Sequence, residues 1–190
     1  MSPGEEKLPK INRFKRGTGL VIVYYGCGKG KTTAALGLAL RAAGYNLKVL
    51  IIQFIKGTWL TGEMESLKKL TQIELVRTGE GFVGIIDDHK PQEDHAKAAK
   101  NALELSKTKI QSGNYDVVIL DEILGAVSGG LLKTKDLLGL IKINPEYTDL
   151  IFTGRHAPKK LIEKANLVTE MQEIKHPFQQ GLFAKRGIDY

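Results

Sequence analysis

Cysteine is almost missing from these 190 residues: Cys27 stands alone, so no disulfide can form within the chain, and a reducing interior suits it. No stretch approaches the roughly 18 consecutive apolar residues of a membrane helix. The opening MSPGEEKLPKINRFKRG lacks the apolar centre of a secretory signal. Together these absences lead us to expect a soluble, cytoplasmic protein with no membrane partner. Internal repeats, low-complexity tracts and linker-like stretches are also lacking, which leaves a single domain as the expected organisation. Nor is there a basic segment interleaved with aromatics of the kind that stacks bases. Nucleic acid is therefore not the expected partner, although the net charge is +7; such a surplus equally suits one highly charged phosphate chain.

What is present begins with Lys7, Lys10, Arg13, Lys15 and Arg16, clustered ahead of residue 17. We expect a basic N-terminal arm over 1–17 and one domain over 18–190. The arm reads either as a solvated segment or as one that folds over an anionic ligand, including one held by a neighbouring subunit. Hydrophobic residues make up 42% of the chain, enough to fill a core at this length.

LVIVYY (20–25), KVLIIQF (48–54), IELVRT (73–78), YDVVILDE (115–122), TDLIFTG (148–154) and NLVTEMQEI (166–174) read as strands. The continuous apolar runs mark burial on both faces. Between them, KTTAALGLALRAAG (31–44), a long segment over 91–112, TKDLLGLIKI (134–143) and APKKLIEKA (157–165) read as helices. Proline and acids open the 91–112 segment and lysines close it, the order a helix dipole favours. Alternating buried strands and helices predict an α/β fold, a mainly parallel sheet covered by helices on both faces, with ligands at the carboxyl ends of the strands.

The first strand runs into YYGCGKGKTT (24–33), which ends like a phosphate-binding loop and starts differently. In G-x-x-x-x-G-K-[ST], the first glycine would stand where this chain has Tyr25. Gly26, Gly28 and Gly30 permit the backbone angles of an anion nest at the positive end of the following helix. Lys31 adds a mobile cation and Thr32 a hydroxyl suited to a magnesium ion on phosphate oxygens. Cys27 inside the loop reads as a small neutral filler, since no paired base is near it in sequence. Asp121 and Glu122 close a buried strand, where carboxylates are costly unless they face an ion or a partner. They are candidates for the metal or its water shell, or for capping a helix; side-chain direction decides between them.

Several separated motifs then point the same way. GCGKGKTTAALGLALRAAG, VLIIQFIKG followed by GE (62–63), TGEGF (78–82), VVILDEI, TGRHAP (153–158) and LVTEMQEIKHPFQQG with AKRGID resemble the ATP:cob(I)alamin adenosyltransferases, enzymes similar to RecA-type P-loop NTPase domains. The resemblance runs from about residue 18 onward and includes the non-glycine at Tyr25. It implies that ATP binds with its triphosphate in the opposite sense to ordinary P-loop enzymes, and that 5′-deoxyadenosyl passes from ATP to the cobalt of cob(I)alamin or a related corrinoid, releasing tripolyphosphate, in adenosylcobalamin synthesis or salvage.

By that resemblance, ATP is held by Gly26, Cys27, Gly28, Lys29, Gly30, Lys31, Thr32 and Thr33, with Arg41, Glu63 and Arg155 near the nucleotide. Lys31, Thr32 and Glu122 carry the catalytic roles, and Mg²⁺ sits near Thr32, Asp121 and Glu122. Phe82, His176 and Phe178 are implied to face the corrinoid, cobalamin or cobinamide. Related sequences carry a tryptophan where this chain has Gly84, and Trp59 is an alternative aromatic. A reducing partner such as a flavoprotein and a homodimer are also implied. Two other readings of the loop are a nucleic-acid-dependent ATPase, in which the basic arm grips phosphates, and a small-molecule kinase, which needs an acceptor hydroxyl and a base beside it.

Overall fold

The computed structural model describes residues 17–54, 60–78 and 92–190. Six strands form one sheet: β1 (Val21–Tyr25), β2 (Val49–Gln53), β3 (Ile73–Arg77), β4 (Val117–Asp121), β5 (Asp149–Gly154) and β6 (Leu167–Glu170). Their order is β3-β2-β4-β5-β1-β6 and every pairing is parallel. The helices are α1 (Lys31–Gly44), α2 (Gly62–Leu67), α3 (Gln92–Gln111), α4 (Ile123–Ser128), α5 (Thr134–Ile143) and α6 (Lys159–Ile162). This is the expected α/β architecture, a parallel sheet flanked by helices and consistent with a RecA-like P-loop fold.

The period of two along the four inner strands explains why their apolar runs have no polar gaps. Val21, Val23, Leu50, Ile52, Val118, Leu120, Leu150 and Phe152 join one core cluster with residues of α3, α4, α5 and α6. The intervening Ile22, Val49, Ile51, Val117, Ile119 and Ile151 join a second, with α1 and Leu67 of α2. The four inner strands, β1, β2, β4 and β5, thus bury both faces, while the edge strands differ: β3 is half-buried and β6 is exposed along its length. Helix α1 lies close to the sheet because its buried stripe is Ala35, Ala39, Ala42 and Ala43, side chains too small to hold the helix away. In α3, His95, Ala99, Ala102, Leu103, Ser106 and Ile110 are buried at helical spacing. The Ser106 hydroxyl donates to the Ala102 carbonyl at 2.7 Å, which satisfies it inside the core.

The expected elements occur in order, with shorter ends. Helix α6 covers Lys159–Ile162 rather than 157–165, and β6 stops at Glu170 rather than reaching 174. Two six-residue helices, α2 and α4, follow no signal read from the sequence. Neither is long enough to display a helical period. No helix among the described residues is long and apolar enough to cross a membrane.

Candidate active site

The loop between β1 and α1 is wedged against the chain that follows β6. The Met171 N–H donates to the Tyr25 carbonyl at 2.7 Å, and the Gly28 N–H donates to the Met171 carbonyl at 2.7 Å. The Gly26 N–H donates to the Arg155 carbonyl at 3.0 Å. A Cβ on Gly26 would overlap the Met171 backbone, and one on Gly28 would stand 2.5 Å from the Gln172 carbonyl oxygen. Gly26 also has φ 119°, a conformation that side chains resist. These two glycines therefore serve close backbone approach, and their N–H groups meet protein carbonyls rather than turning into an open nest. Donors for an anion remain in the first turn of α1, whose N–H groups have no acceptor within the helix.

Tyr25, at the position of the usual first glycine, ends a strand and packs on the core. Burial, and secondarily Glu170, holds its phenol above the ordinary value.

At the carboxyl ends of β4 and β5 a buried polar network fixes the second side of the site. Asp121 is 2% exposed. Its Oδ1 accepts from Thr32 Oγ1 at 3.0 Å and from Thr153 Oγ1 at 2.8 Å, and its Oδ2 accepts from Gln53 Nε2 at 3.3 Å. The Glu122 N–H donates to Thr153 Oγ1 at 2.8 Å. Such partners make a buried carboxylate tolerable. Side-chain direction thus separates the two acids: Asp121 turns inward to Thr32, and Glu122 turns into the open cavity. Glu122 occupies the N-cap position of α4 with φ 61° and makes no side-chain cap bond. A left-handed backbone at a non-glycine residue costs about 1–2 kcal/mol; here it aims the second carboxylate outward.

The cavity has a volume of about 550 Å³ and is lined by residues 29–33, the start of α2 with Glu63, and by Glu122, Arg155 and residues 187–190. That volume falls within the range of small-molecule sites. Lys31 Nζ donates to the carbonyls of Gly26 and Gly28, both at 2.7 Å, so the ammonium lies folded over its own loop. Burial lowers its pKa below the usual value; Glu122 opposes that shift and Arg155 adds to it. Lys29 forms an ion pair with Asp189. The cations and hydroxyl on one wall suit a polyanion. The oxygen donors Thr32, Asp121 and Glu122 suit a hard divalent cation. No cluster of three or more His, Cys, Asp or Glu side chains fit for a metal occurs among the described residues, so phosphate oxygens and water would complete such an ion's shell.

Of the residues singled out from the sequence, the structure brings Lys29, Gly30, Lys31, Thr32, Thr33, Glu63, Glu122 and Arg155 to this cavity, and Asp121 directly behind it. Arg41 lies in the last turn of α1, exposed, and Cys27 is exposed on the loop; neither lines the cavity. His176 Nδ1 accepts from the Phe178 N–H at 3.2 Å and caps the short 3-10 helix Pro177–Gln180, and Phe178 is exposed. Phe82, Gly84, Trp59 and the arm over 1–16 lie outside the described residues. Sequence reasoning missed the roles of Gln53, Thr153 and Asp189. The first two carried a signal, being polar residues at or next to the carboxyl ends of strands whose centres are apolar.

Residues 17–190 match the family model described as ATP:corrinoid adenosyltransferase BtuR/CobO/CobP. The corrinoid adenosyltransferase of Escherichia coli K12 is 36% identical over 172 residues, 90% of this chain and 86% of that one. That of Pseudomonas aeruginosa is 34% identical over 182 residues, 95% and 88% of the two chains. The corrinoid adenosyltransferase CobA of Salmonella typhimurium is 34% identical over 181 residues, 95% and 90%.

Proposed function

Since the chain belongs to the ATP:corrinoid adenosyltransferase family, we propose that it moves the 5′-deoxyadenosyl group of ATP onto the cobalt of a reduced corrinoid and releases tripolyphosphate. One observation carries the reading: cations, helix N–H groups and the Thr32 hydroxyl converge on one cavity, beside a buried carboxylate that holds the hydroxyl in place. A Co(I) nucleophile arrives with its electron pair and needs no general base. What remains for the protein is alignment of the 5′ carbon and stabilisation of charge on the departing polyphosphate.

In that scheme Lys31 leaves its loop carbonyls to meet the polyphosphate, and Lys29, Arg155 and the first-turn N–H groups of α1 add donors. Cys27 and the remainder of the loop shape the cradle, Thr33 adds a hydroxyl, and Glu63 and Arg41 serve nucleotide binding. Thr32, Asp121 and Glu122 would hold Mg²⁺ directly or through water, and the chemistry it would supply there is neutralisation of charge on the phosphate oxygens. Phe82, His176 and Phe178 face the corrinoid. The active form is a homodimer located in the cytoplasm, and a reducing partner such as a flavoprotein donates the electron that takes Co(II) to Co(I).

The test is incubation with ATP, Mg²⁺ and chemically reduced cobalamin. The expected result is a light-sensitive Co–C bond with one tripolyphosphate released per bond. Phosphate or diphosphate as the primary product, without that bond, rejects the reading. Sedimentation at monomeric mass rejects the dimer.

A further inference from the structure

Residues 187–190 line the cavity together with the glycine loop, and among the described residues the Asp189 side chain ties them to it. Asp189 Oδ2 accepts from the Lys185 N–H at 2.7 Å, while its Oδ1 pairs with Lys29. Backbone bonds complete the turn: the Asp189 N–H donates to the Lys185 carbonyl at 2.8 Å, and the Gly187 N–H to the Tyr190 carbonyl at 2.7 Å. One carboxylate oxygen therefore closes the turn and the other ties it to the loop. Beyond that clamp the turn presents Ile188, 74% exposed, and Tyr190, 39% exposed, to a cavity whose other apolar lining is Leu36. Apolar side chains left in water beside a cation-lined cavity are surface for a ligand to cover.

We propose that the 187–190 turn is a wall of the nucleotide site, clamped by Asp189 to Lys29, with Ile188 and Tyr190 covering the nucleoside portion of ATP. The inference rests on the ATP-binding reading above. Asp189 is a positioning residue: its charge is matched by Lys29, and it acts through the turn that it holds. The alternative is a plug, in which Asp189 stands on Lys29 in place of phosphate and leaves when nucleotide arrives. The cavity favours a wall, because about 550 Å³ remains with the turn in place, within the span of ligand sites.

The two arrangements give opposite results. Lys185 and Arg186 put trypsin cleavage sites at the start of the turn, so cleavage there, followed by mass, reports whether the turn is covered. With the full chain, Mg-ATP is expected to slow that cleavage severalfold; faster cleavage or no change overturns the wall. Asp189→Asn is expected to raise KM for ATP roughly tenfold, about the effect of one lost charge-assisted contact, with kcat and the corrinoid KM within about twofold. A lowered or unchanged KM for ATP overturns the proposal. Ile188→Ser and Tyr190→Ala are expected to weaken ATP severalfold and leave inhibition by inorganic tripolyphosphate unchanged. Equal weakening of both ligands overturns the assignment to the nucleoside. Thermal unfolding of each variant within a few degrees of the parent excludes misfolding as the cause. Should the unaltered chain fail to adenosylate cobalamin while Mg-ATP still protects the turn, the proposed reaction falls and the wall stands.

Discussion

The two ends of the sheet each carry a carboxylate with several partners, and they differ in what surrounds it. At the carboxyl end, Asp121 is buried and accepts from Thr32, Thr153 and Gln53. Toward the other end, Glu74 of β3 is exposed, accepting from Lys109 Nζ at 2.7 Å and from the Tyr115 hydroxyl. Lys109 and Tyr115 also bond each other at 3.2 Å. Lys109 holds the Glu74 carboxyl below its ordinary value, with Tyr115 adding to that, and Glu74 holds the Lys109 ammonium above its own. A cavity of about 400 Å³ lies there too, bordered by Lys48, Gln72 and Asn114. Both regions are polar, charged and concave. In the exposed one the ion pair is screened by water, and its members turn toward one another. In the buried one the carboxylate secures the hydroxyl of a helix that begins at a glycine loop, while Lys31 and Arg155 face an open volume. Left-handed backbone occurs toward both ends, at Glu122 on that volume and at Asn46, which accepts from Gln72 beside the other cavity. Polarity marks both ends; burial and directed donors mark the site.

Substitutions can sharpen or break this contrast. The largest effect is expected from Lys31→Ala, which removes a cation from the developing charge: adenosyl transfer should fall about 100- to 1,000-fold, with thermal stability near the parent. Next, Asp121→Ala strands the hydroxyls of Thr32 and Thr153 and the Gln53 amide. Denaturant unfolding should show a loss of about 2–3 kcal/mol. Asp121→Asn keeps an acceptor for the hydroxyls and should lose less stability, while still weakening the dependence of activity on Mg²⁺. Gly28→Ala forces the loop off the Gln172 carbonyl, for an expected loss of about 1–3 kcal/mol and a raised KM for ATP.

A smaller effect concerns pH. Burial lowers the Lys31 pKa in the empty site, so in the window between that lowered value and the usual one the folded state binds fewer protons than the unfolded chain. This contribution therefore makes stability rise with pH through the window. Polyphosphate favours the protonated ammonium, so ATP affinity should fall as pH climbs through the same window. Lys31→Arg should abolish that alkaline limb in a binding titration. Smallest is Glu74→Ala, expected to cost under about 1 kcal/mol and to leave adenosyl transfer unchanged. A large loss of activity there would erase the distinction between the two ends.

Much of this arrangement was legible locally. Helix α1 and helix α5 follow their sequence patterns to the residue, because each is rich in alanine, leucine and lysine, enough to carry one interior glycine, Gly37 or Gly139. The four inner strands were legible because each needs apolar residues on both faces, and the two edge strands because β-branched residues recur in them. Glycines at 26 and 28 were visible as well, but their reason was not: the pressure comes from Met171 and Gln172, which are remote in sequence. His176, singled out for its K-H-P-F setting, caps the short 3-10 helix that follows it, a local role its sequence neighbours allow.

By itself, the amino-acid order determined the alternation of buried strands and helices, the glycine loop at the head of α1 and a carboxylate at the end of β4, since each is written in neighbouring residues through a period or a turn preference. Only the tertiary structure decided that Asp121 rather than Glu122 meets Thr32, 89 residues away, that the loop bends against the chain after β6, and that Asp189 fastens a turn to Lys29. Those choices depend on strand order and on the direction in which each chain leaves its strand, and no local pattern encodes either.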